Sequence, residues 1–177
     1  ADLCGLRAAM KIQPLHPTDA QAYQALRLRA LKDHPEAFGA AYEDEATLAL
    51  EKVAERLTAT PERFTLGAWQ GETLVGMAGF FRNIGRKTRH RGGVWGMYVA
   101  PEARGQQVGL ALLNEIIQRA KQLDGLEEIT LAVTIGNPAA RKIYLQAGFA
   151  VSHIERHYIK IDEKYYDLEW MTLQLVL

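Results

Sequence analysis

The stretch Val94-Trp95-Gly96-Met97-Tyr98-Val99-Ala100-Pro101-Glu102-Ala103-Arg104-Gly105-Gln106-Gln107-Val108-Gly109-Leu110-Ala111-Leu112-Leu113 decides how this chain is read. It is a strand, a tight turn, an arginine and a glycine-containing first helical turn. Backbone N–H groups in a first helical turn have no intrahelical partner. With the positive end of the helix dipole, they favour an anion. Glycine lets ligand atoms approach the main chain closely, and Arg104 adds charge. Arg104, Gly105, Gln106, Gln107, Val108, Gly109 and Leu110 therefore form a candidate diphosphate cradle. A plainer reading, a glycine helix start that closes a crossover, stands beside it. The stretch is not a P-loop, because no Gly-Lys-Ser/Thr follows. It is not a dinucleotide fingerprint either, because G-x-G-x-x-G is absent.

Outward from this stretch, strand and helix periods alternate. Residues 93–99 read as a strand, and residues 106–123 as a helix with Leu112, Leu113, Ile116, Ile117 and Ala120 on one face. Residues 128–135, rich in β-branched side chains, read as the next strand. A connection of this length suits a right-handed parallel crossover. Ligands in such sheets sit beyond the carboxyl ends of the strands. Asn137-Pro138 then has the chemistry of a helix cap with proline in the first turn, and Gly148 suits a left-handed stop. Residues 149–161 and 165–175 read as two closing strands. On the N-terminal side, residues 64–69 and 73–81 read as a hairpin. Two helices precede it: one runs from Thr18-Asp19 to the break at Asp33-His34-Pro35, the other over residues 45–59. Mixed connections of this kind predict an α/β or α+β domain.

The 177 residues suffice for one domain with a sizeable core. Lys plus Arg and Asp plus Glu are 21 each, so no global field favours a polyanion or a membrane face. The expected partners include no nucleic acid and no membrane. No apolar run reaches the ~20 residues that span a bilayer. The single cysteine, Cys4, excludes an intrachain disulfide and suits a cytoplasmic location. Residues 1–9 read as a leader or expression remnant outside the fold, which is expected over residues 10–177.

Two patterns carry a family resemblance. Val99-x-Pro101-x-x-Arg104-Gly105-x-x-Val108-Gly109-x-x-Leu112 resembles the acetyl-coenzyme A motif of the N-acetyltransferase (GNAT) family, Arg/Gln-x-x-Gly-x-Gly/Ala. Asn137-x-x-Ala140-x-x-x-Tyr144-x-x-x-Gly148-Phe149 follows at the spacing of that family, and Asp167-x-x-x-Met171-x-Leu173 fits its closing strands. The resemblance implies a single N-acetyltransferase domain with a twisted mixed sheet flanked by helices. It implies acetyl-coenzyme A as donor, no metal, and a small-molecule or protein amine as acceptor. It also allows a homodimer through the terminal strands. One position departs: Gln107 stands where the family usually has its first glycine. A right-handed backbone in the first helical turn is expected there, with the side chain pointing away from the phosphates.

The resemblance also implies roles. The strand around Met97, Tyr98 and Val99 would bulge and splay from the strand at residues 129–133, and the pantetheine arm would lie in the gap. A backbone N–H near Tyr98 or Val99 would then face the thioester oxygen, and Gly96 is compatible with such a bulge. Tyr144 is the candidate acid for the departing thiolate, with a reference pKa of ~10 against ~8.5 for a cysteine-like thiol. Asn137 would bind the pantetheine arm or a water. The base stays open among Glu43, Asp44, Glu45, His90, Tyr98 and a water chain. The expected reaction is direct transfer in a ternary complex, since no convincing covalent nucleophile is present. The alternatives are a non-catalytic coenzyme A sensor and a transferase of longer acyl groups.

Other signals have plainer readings. The basic run Arg82, Arg86, Lys87, Arg89, His90, Arg91 reads as a solvated loop. His153 and His157 on one strand lie roughly 13 Å apart, at ~3.3 Å per residue, too far to share an ion. Ser152 is the only serine and lies in no G-x-S-x-G elbow. Phe38, Tyr42 and Trp95 could wall an acceptor pocket.

Overall fold

The computed structural model describes residues 9–176. The leader reading for residues 1–9 therefore lies outside the described residues, apart from Ala9.

Strands β1 (Met10–Pro14), β2 (Arg63–Gln70), β3 (Thr73–Arg82), β4 (Arg91–Val99), β5 (Glu128–Thr134), β6 (Ala150–Ile161) and β7 (Lys164–Gln174) form one seven-stranded sheet in the order β1-β2-β3-β4-β5-β7-β6. Among the described residues, only β4 and β5 pair in parallel. Helix α4 (Val108–Ala120) makes the crossover between them. Its buried face carries Leu112, Leu113, Ile116, Ile117 and Ala120, the stripe expected from the sequence. Helix α5 (Pro138–Gln146) starts at an Asn137 cap, where Oδ1 accepts from the Ala140 N–H at 3.3 Å. Helices α4 and α5 cover one apolar layer of the sheet, which includes Phe64, Phe80, Ile129 and Phe149. On the other face, α1 (Ala20–Asp33) and α3 (Leu50–Arg56) bury Tyr23, Leu26 and Val53 against Leu74, Met77 and Tyr98.

Two differences from the sequence reading have physical causes. The expected helix over residues 45–59 is two short pieces, α2 (Tyr42–Glu45) and α3, because Glu45 is drawn into a buried ion pair with Arg27 and Ala49 is extended. Strand β1 was not foreseen. Its five residues are held by antiparallel pairing with β2, a partner more than fifty positions away.

Candidate active site

The site begins where β4 and β5 part. They pair only over Arg91, Gly92 and Gly93 against Glu128, Ile129 and Thr130, while both strands continue further. On its other side, β4 slips in register against β3. Gly79 faces Trp95 and Met77 faces Tyr98, so Gly96 and Met97 stand against Ala78 alone. This is a bulge, and its first residue, Gly96, has φ +60°. The splay and the bulge are those the family resemblance implied.

A cleft of about 1130 Å³ occupies the gap. Met97, Tyr98, Val99, Val133, Asn137 and Tyr144 line it. At one end lies the turn from the one-turn helix Pro101–Ala103 into α4. The backbone N–H groups of residues 105–110 meet no protein acceptor among the described residues, while the next, of Ala111, donates to the Gln107 carbonyl. A Cβ on Gly105 would meet nothing within 4 Å, and one on Gly109 would stand 3.1 Å from Ile143 Cδ1. Unpaired amides with open space above them at a helix start fit an anionic group such as a diphosphate. Arg104, Gly105, Gln107, Val108, Gly109 and Leu110 all line the cleft. Gln106 is outside its lining, because its Oε1 accepts from Gln70 Nε2 at 2.8 Å and ties the loop to β2.

Gln107 corrects the sequence reading. Its backbone is left-handed, φ 60° and ψ 24°, and it is the N-cap rather than a right-handed helical residue. The chain must reverse there to lead the turn into α4, so the position suits the glycine usual in the family.

Arg104 also differs in aim. Its Nε donates to the Val99 carbonyl at 3.2 Å, its guanidinium lies 5.9 Å from the Tyr98 ring, and its Nη2 is 3.4 Å from His34 Nε2. Its charge is thus held over the free end of β4. Tyr144 is buried, and burial pushes its hydroxyl up to about 12, so it remains a donor at neutral pH.

The opposite wall comes from segments the sequence reading treated as connections. His34, Glu36 and Phe38 line it, with His34 and Phe38 rings 6.3 and 6.5 Å from Tyr98. Thr134 Oγ1 donates to the Glu36 carbonyl at 2.7 Å and ties this turn to the end of β5. Asp33-His34-Pro35 was legible only as a helix break. No spacing signal links His34 to Tyr98. Farther out, Asp167 Oδ1 accepts from the His157 N–H at 2.8 Å, and the His157 ring lies 4.8 Å from Tyr165. His157 has φ 56° in a bulge and reaches the cleft, whereas His153 stacks on Trp170 outside its lining.

Other candidate residues are not brought to the cleft. Glu43 is exposed on α2, and His90 is exposed at the far end of β4, where its carbonyl accepts from the Glu127 and Glu128 N–H groups. Glu45 binds Arg27 and Arg56. In the basic run, Arg82 and Arg89 share Glu62, and Arg91 pairs with Glu128. Tyr42 and Trp95 do not line the cleft. Among the described residues, no group of three His, Cys, Asp or Glu side chains is placed to hold a metal, and no helix is long and apolar enough to cross a membrane.

A mixed sheet split at its parallel pair, with a bare amide turn at the mouth of the split, defines the class of acyl-coenzyme A N-acyltransferase folds. The profile of the Acetyltransferase (GNAT) family matches residues 17–149, and the chain belongs to that family. It is 29% identical over 137 residues to mycothiol acetyltransferase of Brachybacterium faecium, a match covering 76% of this chain and 38% of that protein. It is 33% identical over 106 residues to the N-alpha-acetyltransferase RimI of Mycobacterium tuberculosis, covering 60% of this chain and 64% of that one. The matched region thus spans less than two thirds of either relative. Among solved structures, a GNAT-family acetyltransferase from Streptococcus pneumoniae superposes with TM-score 0.84 at 22% identity, covering 94% of this chain and 99% of that one. The protein yncA from Salmonella typhimurium, solved with its cofactor acetyl-CoA, superposes with TM-score 0.76 at 20% identity, covering 95% of each chain.

Proposed function

We propose that this chain transfers an acetyl group from acetyl-coenzyme A to a primary amine, by direct attack within a ternary complex. The observation that carries this reading is the run of unpaired amides over residues 105–110 opening into the gap between β4 and β5. The donor supplies an activated acyl thioester, so the protein has to bind, orient and manage charge. Residues 105–110 hold the diphosphate, and the strand edges around Met97, Tyr98, Val99 and Val133 receive the pantetheine arm. A main-chain N–H near Tyr98 or Val99 stabilises the oxygen that gains charge. Tyr144, kept protonated by burial, donates a hydrogen bond to the sulfur. Asn137 caps α5 and lines the same cleft. The acetyltransferase relatives support nitrogen as the acceptor atom. A homodimer through the edge strand β6, which exposes Val151, Ile154 and Tyr158, and a cytoplasmic location belong to the same reading.

Thiol release from acetyl-coenzyme A, measured with and without a panel of amines, tests the proposal. Acceptor-dependent release supports it. Tight binding without turnover on any amine would favour a sensor instead.

A further inference from the structure

Building on the transferase reading, we propose that His34 is the general base that takes the first proton from the acceptor ammonium. The sequence leaves this role open, and the geometry narrows it. His34 brings an imidazole to the cleft wall beside the free end of β4, its ring 6.3 Å from Tyr98. Its Nε2 lies 3.4 Å from Arg104 Nη2. Arginine only donates, so a hydrogen bond between them requires the lone pair on Nε2 and the proton on Nδ1. Nδ1 in turn faces Glu36 Oε1 at 3.8 Å. The segment bearing both residues is fixed by the Thr134 bond to the Glu36 carbonyl.

Of the other titratable groups at the cleft, Glu36 faces His34 itself, and Asp167 and His157 belong to the β6–β7 arm. Asp167 accepts from the His157 N–H and faces Arg156, while His157 stands against Tyr165 on the β6–β7 arm. The charged and titratable groups around the Tyr98–His34 pair are Arg29 and Asp33 from α1, Glu36 beyond it, Glu102 and Arg104 from the cradle turn, and Tyr98 itself. The His34 side chain is 41% exposed, which leaves its proton a route to water.

The step balances as follows. Nε2 takes one proton from the ammonium, which displaces the long Arg104 contact, and Arg104 keeps its bond to the Val99 carbonyl. The freed nitrogen lone pair forms the C–N bond as the C–S bond breaks. A second proton leaves nitrogen and ends on sulfur through the Tyr144 hydroxyl, which gives one proton and takes one. His34 then releases its proton to solvent.

The test compares hydroxylamine, which is largely unprotonated at neutral pH, with the protonated amines alanine amide, lysine methyl ester and spermidine. For whichever protonated amine the unaltered protein turns over, His34→Gln is expected to lower kcat/KM about 100-fold. On that amine the rate of His34→Gln should track the free-amine fraction, so the acidic limb moves up toward the amine's own ionisation, while hydroxylamine acetylation falls far less and acetyl-coenzyme A still binds by calorimetry. Added imidazole should restore part of the rate to His34→Ala. Nitrogen NMR of the free protein should find the Nδ1–H tautomer. An equal loss on hydroxylamine, an unchanged pH profile, or an Nε2–H tautomer would overturn the assignment and leave the transferase reading standing. An unaltered protein that acetylates none of the four probes would overturn both.

Discussion

Arg27 and Glu45 meet as a buried fork, Nε to Oε2 at 2.9 Å and Nη2 to Oε1 at 3.1 Å. The pair fastens α2 to α1. The Arg27 guanidinium also lies 5.5 Å from the Trp95 ring, and a Cβ on Gly96 would sit 3.5 Å from Nη1. A link therefore runs from the α1–α2 wall to the bulge of β4.

Removing Arg27 would leave the buried Glu45 with only the half-exposed Arg56 as partner, at a cost of up to about 3–5 kcal/mol. Arg27→Met is expected to lose stability of that order, and Arg27→Met combined with Glu45→Met to recover much of it. Denaturant unfolding measures both. A double variant no more stable than the single one would contradict this account of the pair.

The same pair sets an acid response. Hydrogen bonding to Arg27 holds the Glu45 carboxyl below the usual range, although burial opposes it. A depressed folded value means that the stabilisation is complete above the unfolded value of about 4.3 and is lost as pH falls through the folded one. Unfolding midpoints are expected to drop below about pH 4.3 more steeply in the unaltered protein than in Glu45→Gln. Parallel slopes would show that Glu45 contributes nothing to acid sensitivity.

Gln107→Gly relieves a left-handed side-chain residue. The gain is about 1 kcal/mol, or about 2–4 °C in Tm. The backbone angles stay the same, so the amides keep their aim and the KM for acetyl-coenzyme A should not rise. Calorimetric melting and steady-state kinetics check the two halves separately.

Gly109→Val would force α4 and α5 apart, since even a Cβ there stands 3.1 Å from Ile143 Cδ1 and 3.7 Å from Val99 Cγ2. Overpacking of this kind costs about 1–3 kcal/mol. The affinity for coenzyme A should weaken with it, because the displaced turn carries the amides. Unaltered affinity in a folded variant would argue against the cradle.

Tyr144→Phe should lower kcat more than KM, about tenfold if one hydrogen bond of ~1.4 kcal/mol is lost in the transition state. With its hydroxyl pushed up to about 12 by burial, Tyr144 should add no basic limb to the rate profile below about pH 10. A Tyr144-dependent limb near neutrality would show the group to be less shielded than its burial implies.

The boundaries of α4, β5 and α5 were legible within a few residues, since β-branched runs, the Leu112–Ile116 stripe and the Asn137-Pro138 cap are local signals. The amide turn was legible for the same reason. Gln107 was misjudged because a side-chain residue in the left-handed region gives no local sign. Of the wall facing Tyr98, Phe38 was foreseen, whereas His34 and Glu36 were missed because they look like the debris of a helix end.

The sequence by itself determined the alternation of strands and helices, the parallel crossover and the glycine-containing turn at its mouth, because periodicity and turn chemistry act over neighbouring residues. Tertiary structure alone decided the left-handed Gln107, the pairing of β1, the break before α3 and the meeting of His34 and Arg104 over Tyr98. Each of these is settled by partners brought together through packing on the sheet, at separations where the order of residues carries no distance.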